Sequence, residues 1–347
     1  MSDAHALRFP PTLPDLVLAA FSPRGAATRQ QLLRLGVDDA MLKRWVRLGA
    51  LRRHRRGTYS LPSVFAERSG PADEAELATL TLAGPDVVVS HRSAAQLHGL
   101  PLVRPVDRPE ITRDETGAVL LGVRCHRYGV APGHAELVRS IPVTTVPRTL
   151  VDLCRVLPTA QALPAWDLAA ARDPAAPALA QRLLDDLGDI NFRRRVRQAA
   201  GWVDGRSESP LESLSRGLLL GRGLPRPEVQ AMLSTGTGRF RVDLLWPGLG
   251  VVGEADGRGK YGDDERAVWA EKRRQEWLEQ QGLVVVRWIW QELVNDLDGV
   301  ARRWHDAVQR QRSRGFSWPA GLRLTPTLAP APPRIGPPSS TLPRRSA

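Results

Sequence analysis

The chain has 347 residues, with 49 Lys and Arg against 37 Asp and Glu and a formal charge of +12. That length exceeds what one hydrophobic core serves and suits two or three domains. Cys125 and Cys154 form no CxxC pair, which argues against a disulfide framework or a zinc ribbon and fits a reducing compartment. No run of about 18 uncharged apolar residues occurs and no signal-peptide pattern opens the chain, so a cytoplasmic protein with no membrane association is expected. Residues 1–60 hold eleven Lys or Arg and four acids, so this sixth of the chain carries +7 of the net charge. Such a concentration suits a polyanionic partner.

Residues 13–61 have the pattern of three short helices and a β-wing. Leu16, Val17, Ala20 and Phe21 make an apolar stripe, Thr28-Arg-Gln-Gln31 has the form of a capping box, and Gly36 closes a second helix holding Leu32, Leu33 and Leu35. A third helix, capped by Asp38 or Asp39, turns Met41, Leu42, Trp45 and Leu48 inward and Lys43, Arg44 and Arg47 outward before Gly49 ends it. Leu51 to Ser60 then suits two strands around a basic tip, with Arg52, Arg53, Arg55 and Arg56 exposed and Tyr59 and Leu61 returning to the core. Residues 1–65 therefore read as a winged helix-turn-helix module that binds DNA.

Residues 66–205 read as a mixed α/β domain: a helix from about 73 to 83, a strand 87–90, a helix 93–97, a strand-like segment 117–126, a turn region from Pro142 to Pro147, and helices 150–157, 178–187 and 192–200. His91 and His98 stand seven positions apart with no third ligand near, so structural roles fit them better than a metal site.

Residues 206–312 carry the clearest pattern: helix 210–221, strands 227–233, 239–246 and 251–256, helix 264–281, strand 283–290, and a final helix to about Arg312. If Pro247-Gly-Leu-Gly250 is the hairpin turn, Trp246 faces Val251, Leu245 faces Val252, and Asp243 falls opposite Glu254. Directly opposed Cβ atoms sit about 4.5–5.5 Å apart, where like charges are destabilising unless a cation or a shared proton intervenes. The period of two sets Asp256 beside Glu254, so three acids group at one hairpin end, in the outline of a Mg²⁺ site. The same register puts Asp256 opposite Arg241, so an ordinary ion pair would also account for it. Ser209-Pro-Leu-Glu212 is a capping box with proline at the first helical position. Glu271 could pair with Arg274 or Gln275 at helical spacing. Six tryptophans in this region recur at helix and strand spacing, as core residues do. Residues 313–347, with eight prolines, read as a disordered tail.

Two resemblances rest on these motifs. Residues 13–61, followed by Ser90-His-Arg-Ser-Ala-Ala-Gln-Leu-His-Gly-Leu100 and Thr144-Thr-Val-Pro-Arg-Thr-Leu-Val-Asp152, resemble proteins that carry an AbiEi-type antitoxin winged helix and its companion domain. Residues 207–312 resemble the PD-(D/E)XK nucleases, in particular small endonuclease domains related to very-short-patch-repair enzymes. Ser209-Pro-Leu-Glu212, Val242-Asp243, Gly253-Glu-Ala-Asp-Gly-Arg-Gly-Lys-Tyr261, Glu271-Lys-Arg-Arg274 and Val286-Arg-Trp288 carry that likeness. It implies an αβββαβ restriction-endonuclease-like domain in which Asp243 and Glu254 hold Mg²⁺ and Glu212 is the first-helix acid. The lysine expected two positions after Glu254 is replaced by Asp256, and Lys260 lies four residues further on. Lys260 is then the candidate to neutralise developing phosphate charge. The expectation is a multidomain α/β protein that binds DNA and hydrolyses its phosphodiesters with Mg²⁺. The alternative is a non-catalytic transcriptional regulator or antitoxin with a degenerate nuclease fold and a toxin as partner.

Overall fold

Residues 12–64, 73–84, 86–113, 122–187, 192–256, 265–325 and 327 are described by a computed structural model of the protein. They fall into two units, Met1–His98 with Arg104–Asp152 and Gly99–Val103 with Leu153–Ala347. Neither the expected boundary at 65 nor that at 205 coincides with this division, and the segment 66–205 contributes to both units.

The first unit begins with α1 (Asp15–Ala19), β1 (Ala26–Thr28), α2 (Arg29–Arg34), α3 (Asp39–Arg47), β2 (Arg52–Arg55) and β3 (Thr58–Ser60). The three strands form an antiparallel sheet in the order β1-β3-β2. Local chemistry starts the helices. The Thr28 hydroxyl accepts the Gln31 N–H while the Gln31 side chain accepts the Thr28 N–H at 2.8 Å, a complete capping box. Asp38 accepts the Met41 N–H at 2.7 Å. Gly36 and Gly49, at φ +81° and +75°, take the left-handed conformation that stops α2 and α3. Val17, Phe21, Leu32, Leu42, Trp45, Leu51 and Tyr59 share one core. Three expectations are corrected: Leu16 is 73% exposed rather than part of the stripe, Met41 is exposed rather than turned inward, and β1 is an additional strand. At three residues β1 is too short to show a period, and it exists through its pairing with β3.

The rest of this unit holds α4 (Glu74–Leu80), β4 (Val88–Val89), α5 (His91–Leu97), β5 (Glu110–Arg113), β6 (Arg124–Arg127), β7 (Ala135–Val138) and β8 (Ile141–Thr144), with the unit boundary inside α6 (Val146–Val156). The sheet order is β6-β5-β4-β8-β7. The expected turn from Pro142 to Pro147 is instead the end of a strand and the start of a helix. Pro147 sits in the first turn of α6, where a missing N–H leaves no intrahelical bond unmade. His91 is fully buried and left-handed at φ +52°, with Ser90 Oγ 2.9 Å from Nδ1 and the Tyr128 hydroxyl 3.0 Å from Nε2. His98 Nε2 lies 2.7 Å from the Thr144 carbonyl oxygen. Both histidines are held by the fold.

The second unit continues with α7 (Thr159–Arg172), α8 (Ala176–Asp186), α9 (Arg193–Trp202), α10 (Pro210–Gly221), β9 (Glu228–Ser234), β10 (Arg239–Trp246), β11 (Val251–Asp256), α11 (Glu265–Gln280), β12 (Val284–Ile289), α12 (Trp290–Asn295), α13 (Leu297–Ser313) and β13 (Arg323–Thr325). Helix α7 is obscured in the sequence by Pro158 and Pro164, the second of which sits inside it. α10 packs closely on α7 because Gly217 has no side chain: a Cβ there would lie 2.9 Å from Ala160 Cα. Strands β9, β10 and β11 form an antiparallel meander, α11 crosses to β12 parallel to β11, and β13 adds to β9, giving the order β12-β11-β10-β9-β13. The order α10-β9-β10-β11-α11-β12 is the αβββαβ run expected, with the final helix split into α12 and α13.

Leu211, Leu219, Leu244, Trp246, Trp288 and Trp304 belong to the core that takes in α10 and α13. Leu233, Val242, Leu245, Val252, Trp277 and Leu278 belong to the core that takes in α11. The tail was expected to start at 313, but Leu322 is buried and β13 completes the sheet. Residues 328–347 lie outside the described residues.

Candidate functional site

Two groups of side chains stand out. In the first unit, α3 buries Leu42 and Trp45 and leaves Lys43, Arg44 and Arg47 exposed. In the wing Arg53 and Arg56 are exposed too. Arg52 and Arg55 differ, because both reach α4. Arg52 Nη2 lies 2.9 Å from Asp73 Oδ2, and Arg55 Nε donates to Glu76 Oε1 at 2.5 Å. Of the seven basic residues expected to face DNA, Arg52 and Arg55 are the two ion-paired with α4 and its cap, and Arg52 remains 44% exposed in that pair.

In the second unit, Glu212 sits in the first turn of α10, Asp243 on β10 and Glu254 on β11. The β10–β11 ladder has the expected register, Trp246 with Val251, Leu245 with Val252 and Leu244 with Gly253, and stops one pair short of Asp243 and Glu254. Beyond that point Asp243 Oδ2 accepts the Ala255 N–H at 2.9 Å, so a side-chain oxygen takes the place of a backbone acceptor. Gln230 Nε2 donates to Glu212 Oε2 at 2.7 Å and lies 3.4 Å from Asp243 Oδ1. Gln230 is buried and left-handed at φ +53°. Its pairing with Asp243 is the gap in an otherwise regular β9–β10 register. Backbone of that kind in a non-glycine residue costs about 1–3 kcal/mol and persists only where its surroundings hold it.

Glu254 is 3% exposed, and Arg274 Nη1 donates to its Oε1 at 2.9 Å and to the Arg241 carbonyl at 3.1 Å. Burial first and the Asp243 charge second push the Glu254 carboxyl up to about 8, with Arg274 and Arg287 opposing the shift. Burial and the same Asp243 charge raise Glu212. Glu254 therefore holds a proton at neutral pH, as expected where buried acids outnumber the cations that reach them. Glu212 also departs from its simple capping role. Its N–H donates to Ser209 Oγ at 3.2 Å, but its carboxylate reaches back to the Glu208 N–H at 2.9 Å and to Gln230.

The remaining expected residues lie elsewhere. Asp256 pairs with Arg287 Nη1 at 3.5 Å on the neighbouring strand, and Arg241 pairs with Glu208 at 2.7 Å, so the cross-strand Asp256–Arg241 pair does not form. Lys260 lies outside the described residues, as does the Glu271 side chain; Arg274 reaches Glu254 and Gln275 reaches Glu279. Among the described residues no group of three or more His, Cys, Asp or Glu converges closely enough to hold a metal ion. Mg²⁺ keeps most of its water shell and needs only one or two carboxylates. Asp243 and Glu254 carry hard oxygens of the kind Mg²⁺ prefers, with Asp243 Oδ2 already accepting the Ala255 N–H. Gln230 does not stand out in the sequence. The one available signal is a buried-type position occupied by an amide in the otherwise apolar run Val229 to Leu233.

The helix pair, the basic third helix and the wing define a winged helix-turn-helix module. Residues 16–62 match the family model described as "Transcriptional regulator, AbiEi antitoxin". The crystal structure of the RV2827C protein from Mycobacterium tuberculosis is similar at 21% identity over 55% of this chain and 80% of that one, with a TM-score of 0.31. No curated protein matches. Among the described residues no helix is long and apolar enough to cross a membrane.

Proposed function

We propose that this protein binds duplex DNA through its N-terminal winged helix and acts as a regulator of transcription of the antitoxin kind. The observation that carries this reading is the exposed set Lys43, Arg44, Arg47, Arg53 and Arg56 on a third helix and wing whose buried sides form one core. In helix-turn-helix proteins such a helix enters the major groove while neighbouring cations contact phosphates. The match of residues 16–62 supports the same reading, and the antitoxin in that family's description supports a toxin as a protein partner. The test is DNA binding across a salt series. Replacing Lys43, Arg44 and Arg47 by Gln should lower the slope of log K against log salt by about 0.9 for each phosphate that is no longer neutralised. An unchanged slope and affinity would remove the module from DNA.

A second reading concerns the other unit, and the half-buried Asp243 acting on the buried Glu254 favours it. In this reading the unit hydrolyses DNA phosphodiesters, and Asp243 and Glu254 hold Mg²⁺. The ion would supply polarisation of the phosphate and a more acidic bound water. To hold the ion, Glu254 would have to give up its proton. Gln230 keeps Glu212 and Asp243 in register, and Arg274 faces the Glu254 carboxylate from α11. Calorimetric titration with Mn²⁺ and plasmid cleavage, each on the full chain, Asp243→Ala and Glu254→Ala, test it. Absence of metal binding that depends on these two acids would leave the unit a non-catalytic scaffold.

A further inference from the structure

The wing carries a feature that simple DNA binding does not explain. A basic hairpin on the surface would ordinarily keep all its arginines in solvent, where they are best hydrated and most available to phosphate. Here three side chains of the wing converge on one short helix and its cap. Arg52 pairs with Asp73, Arg55 pairs with Glu76 Oε1, and His54 Nδ1 lies 3.1 Å from Glu76 Oε2. The His54 side chain is itself buried, and its Nε2 lies 2.8 Å from Ser60 Oγ on β3. Strand geometry alone cannot deliver this, because alternation sends Arg52 and His54 to one side and Arg53 and Arg55 to the other.

The β2–β3 register supplies the missing step. Arg52 pairs with Ser60 and Arg53 with Tyr59, but the next partner of β3, Thr58, is met by Arg55, so His54 is an extra residue on β2. A bulge of this sort re-aims the side chain that follows it. It turns Arg55 to the α4 side with Arg52 and His54; Arg53 and Arg56 are exposed, and Arg52, though 44% exposed, is tied to Asp73. On the helix side the two acids are built in as well. Asp73 caps α4, accepting the Glu76 N–H at 2.7 Å. Burial opposes ionisation of Glu76, but the His54 hydrogen bond and the Arg55 charge outweigh it and hold its carboxyl below the usual range.

We propose that Asp73 and Glu76 of α4 are a clamp that positions the wing for DNA, so that Arg53 and Arg56 contact phosphate while Arg52, His54 and Arg55 serve only to hold the hairpin. This rests on the DNA-binding reading above and names which residues of that surface act and which position them. A held wing loses little freedom on docking, and the advantage is in affinity.

The test sets positioning against plain electrostatics, which differ in sign. Removing an acid near a DNA-binding surface should tighten binding if charge alone matters. The clamp requires the reverse. A fluorescent duplex of about 30 base pairs, ample for one such module, is titrated with the full chain at several salt concentrations. Glu76→Gln is expected to weaken binding about fivefold with the salt slope unchanged, the cost of ordering the wing on docking. Glu74→Gln, the same charge change on the same helix but at a residue paired with Arg139, is expected to leave affinity at or slightly above that of the native chain. Arg53→Gln should lower the salt slope by about 0.9, the amount one neutralised phosphate contributes. Arg55→Gln should weaken binding without changing the slope, and it serves as the deciding variant if Glu76→Gln does not fold.

Glu76→Gln binding as tightly as the native chain or more tightly would overturn the clamp. So would Arg55→Gln lowering the slope as Arg53→Gln does. A native chain that binds no DNA would instead overturn the functional reading on which the clamp depends.

Discussion

Replacing Glu254 by Gln tests the buried acids without removing volume. In the folded protein the Glu254 carboxyl is raised from an ordinary 4.5 to about 8 by burial and by Asp243. Between those values the folded state binds a proton that the unfolded state does not, so stability falls as pH rises, with a slope approaching about 1.36 kcal/mol per pH unit. The stability associated with this proton is fully present below about 4.5 and is lost as pH passes about 8, a loss on the order of 5 kcal/mol. Glutamine keeps the shape and cannot ionise. Chemical denaturation of the native chain and Glu254→Gln at about pH 4, 7 and 9, values that bracket the interval between the two pKa values, should therefore show nearly equal stability at the lowest pH. The variant should become increasingly the more stable at neutral pH and above. If the second reading holds, saturating Mn²⁺ should narrow the difference at the highest pH, since an ion held by the folded carboxylate stabilises the native chain more than the variant. Parallel pH profiles for the two proteins would refute the idea that Glu254 carries a proton into the folded state, and with it the reasoning that ties metal uptake to proton release.

Other outcomes follow from the same geometry. Arg274→Met removes a group that lowers the Glu254 pKa, so proton release on Mn²⁺ addition, measured by calorimetry in buffers of different ionisation heat, should persist to higher pH than in the native chain. Asp167→Ala strands the buried Arg216 guanidinium, which is hydrogen-bonded to it between α10 and α7, and should cost about 3–5 kcal/mol in denaturant unfolding. Gly250→Ala puts a Cβ 2.5 Å from Gln311 Nε2 and 2.6 Å from Phe316 Cζ at φ +63°. It should lower stability by about 1–3 kcal/mol, and a neutral effect would mean the hairpin turn is not held as described.

The second unit is legible in outline because its elements obey local rules. Alternating Val, Leu and Trp mark β10 and β11, Pro247 to Gly250 mark the turn, and Ser209-Pro210 mark the start of α10. The register of the hairpin follows from the turn by counting, and it places Asp243 and Glu254 on neighbouring strands at the same level. Counting cannot show that the ladder stops before reaching them. That depends on Asp243 taking the Ala255 N–H, and thus on where the backbone gives way. For the same reason Asp256 looks like a third member of the group: period-two alternation puts it beside Glu254, but the parallel strand β12 offers it Arg287. Sequence spacing within one hairpin carries no information about what a strand some 30 residues later will bring.

The N-terminal module shows the same limit from the other side. The helix caps, the turn glycines and the basic face of α3 are local and readable. Which arginines of the wing face outward is not, because alternation is broken by a single extra residue at His54 and the partners that draw Arg52 and Arg55 away lie on a helix some 20 residues on. Charge counted along the chain overstates the surface offered to DNA, since part of it is neutralised by acids that the count places in another segment. The sign of the Glu76→Gln effect on DNA affinity therefore separates two descriptions that composition cannot: a hairpin that is merely basic, and one whose basic residues have been sorted by the fold into those that hold and those that touch.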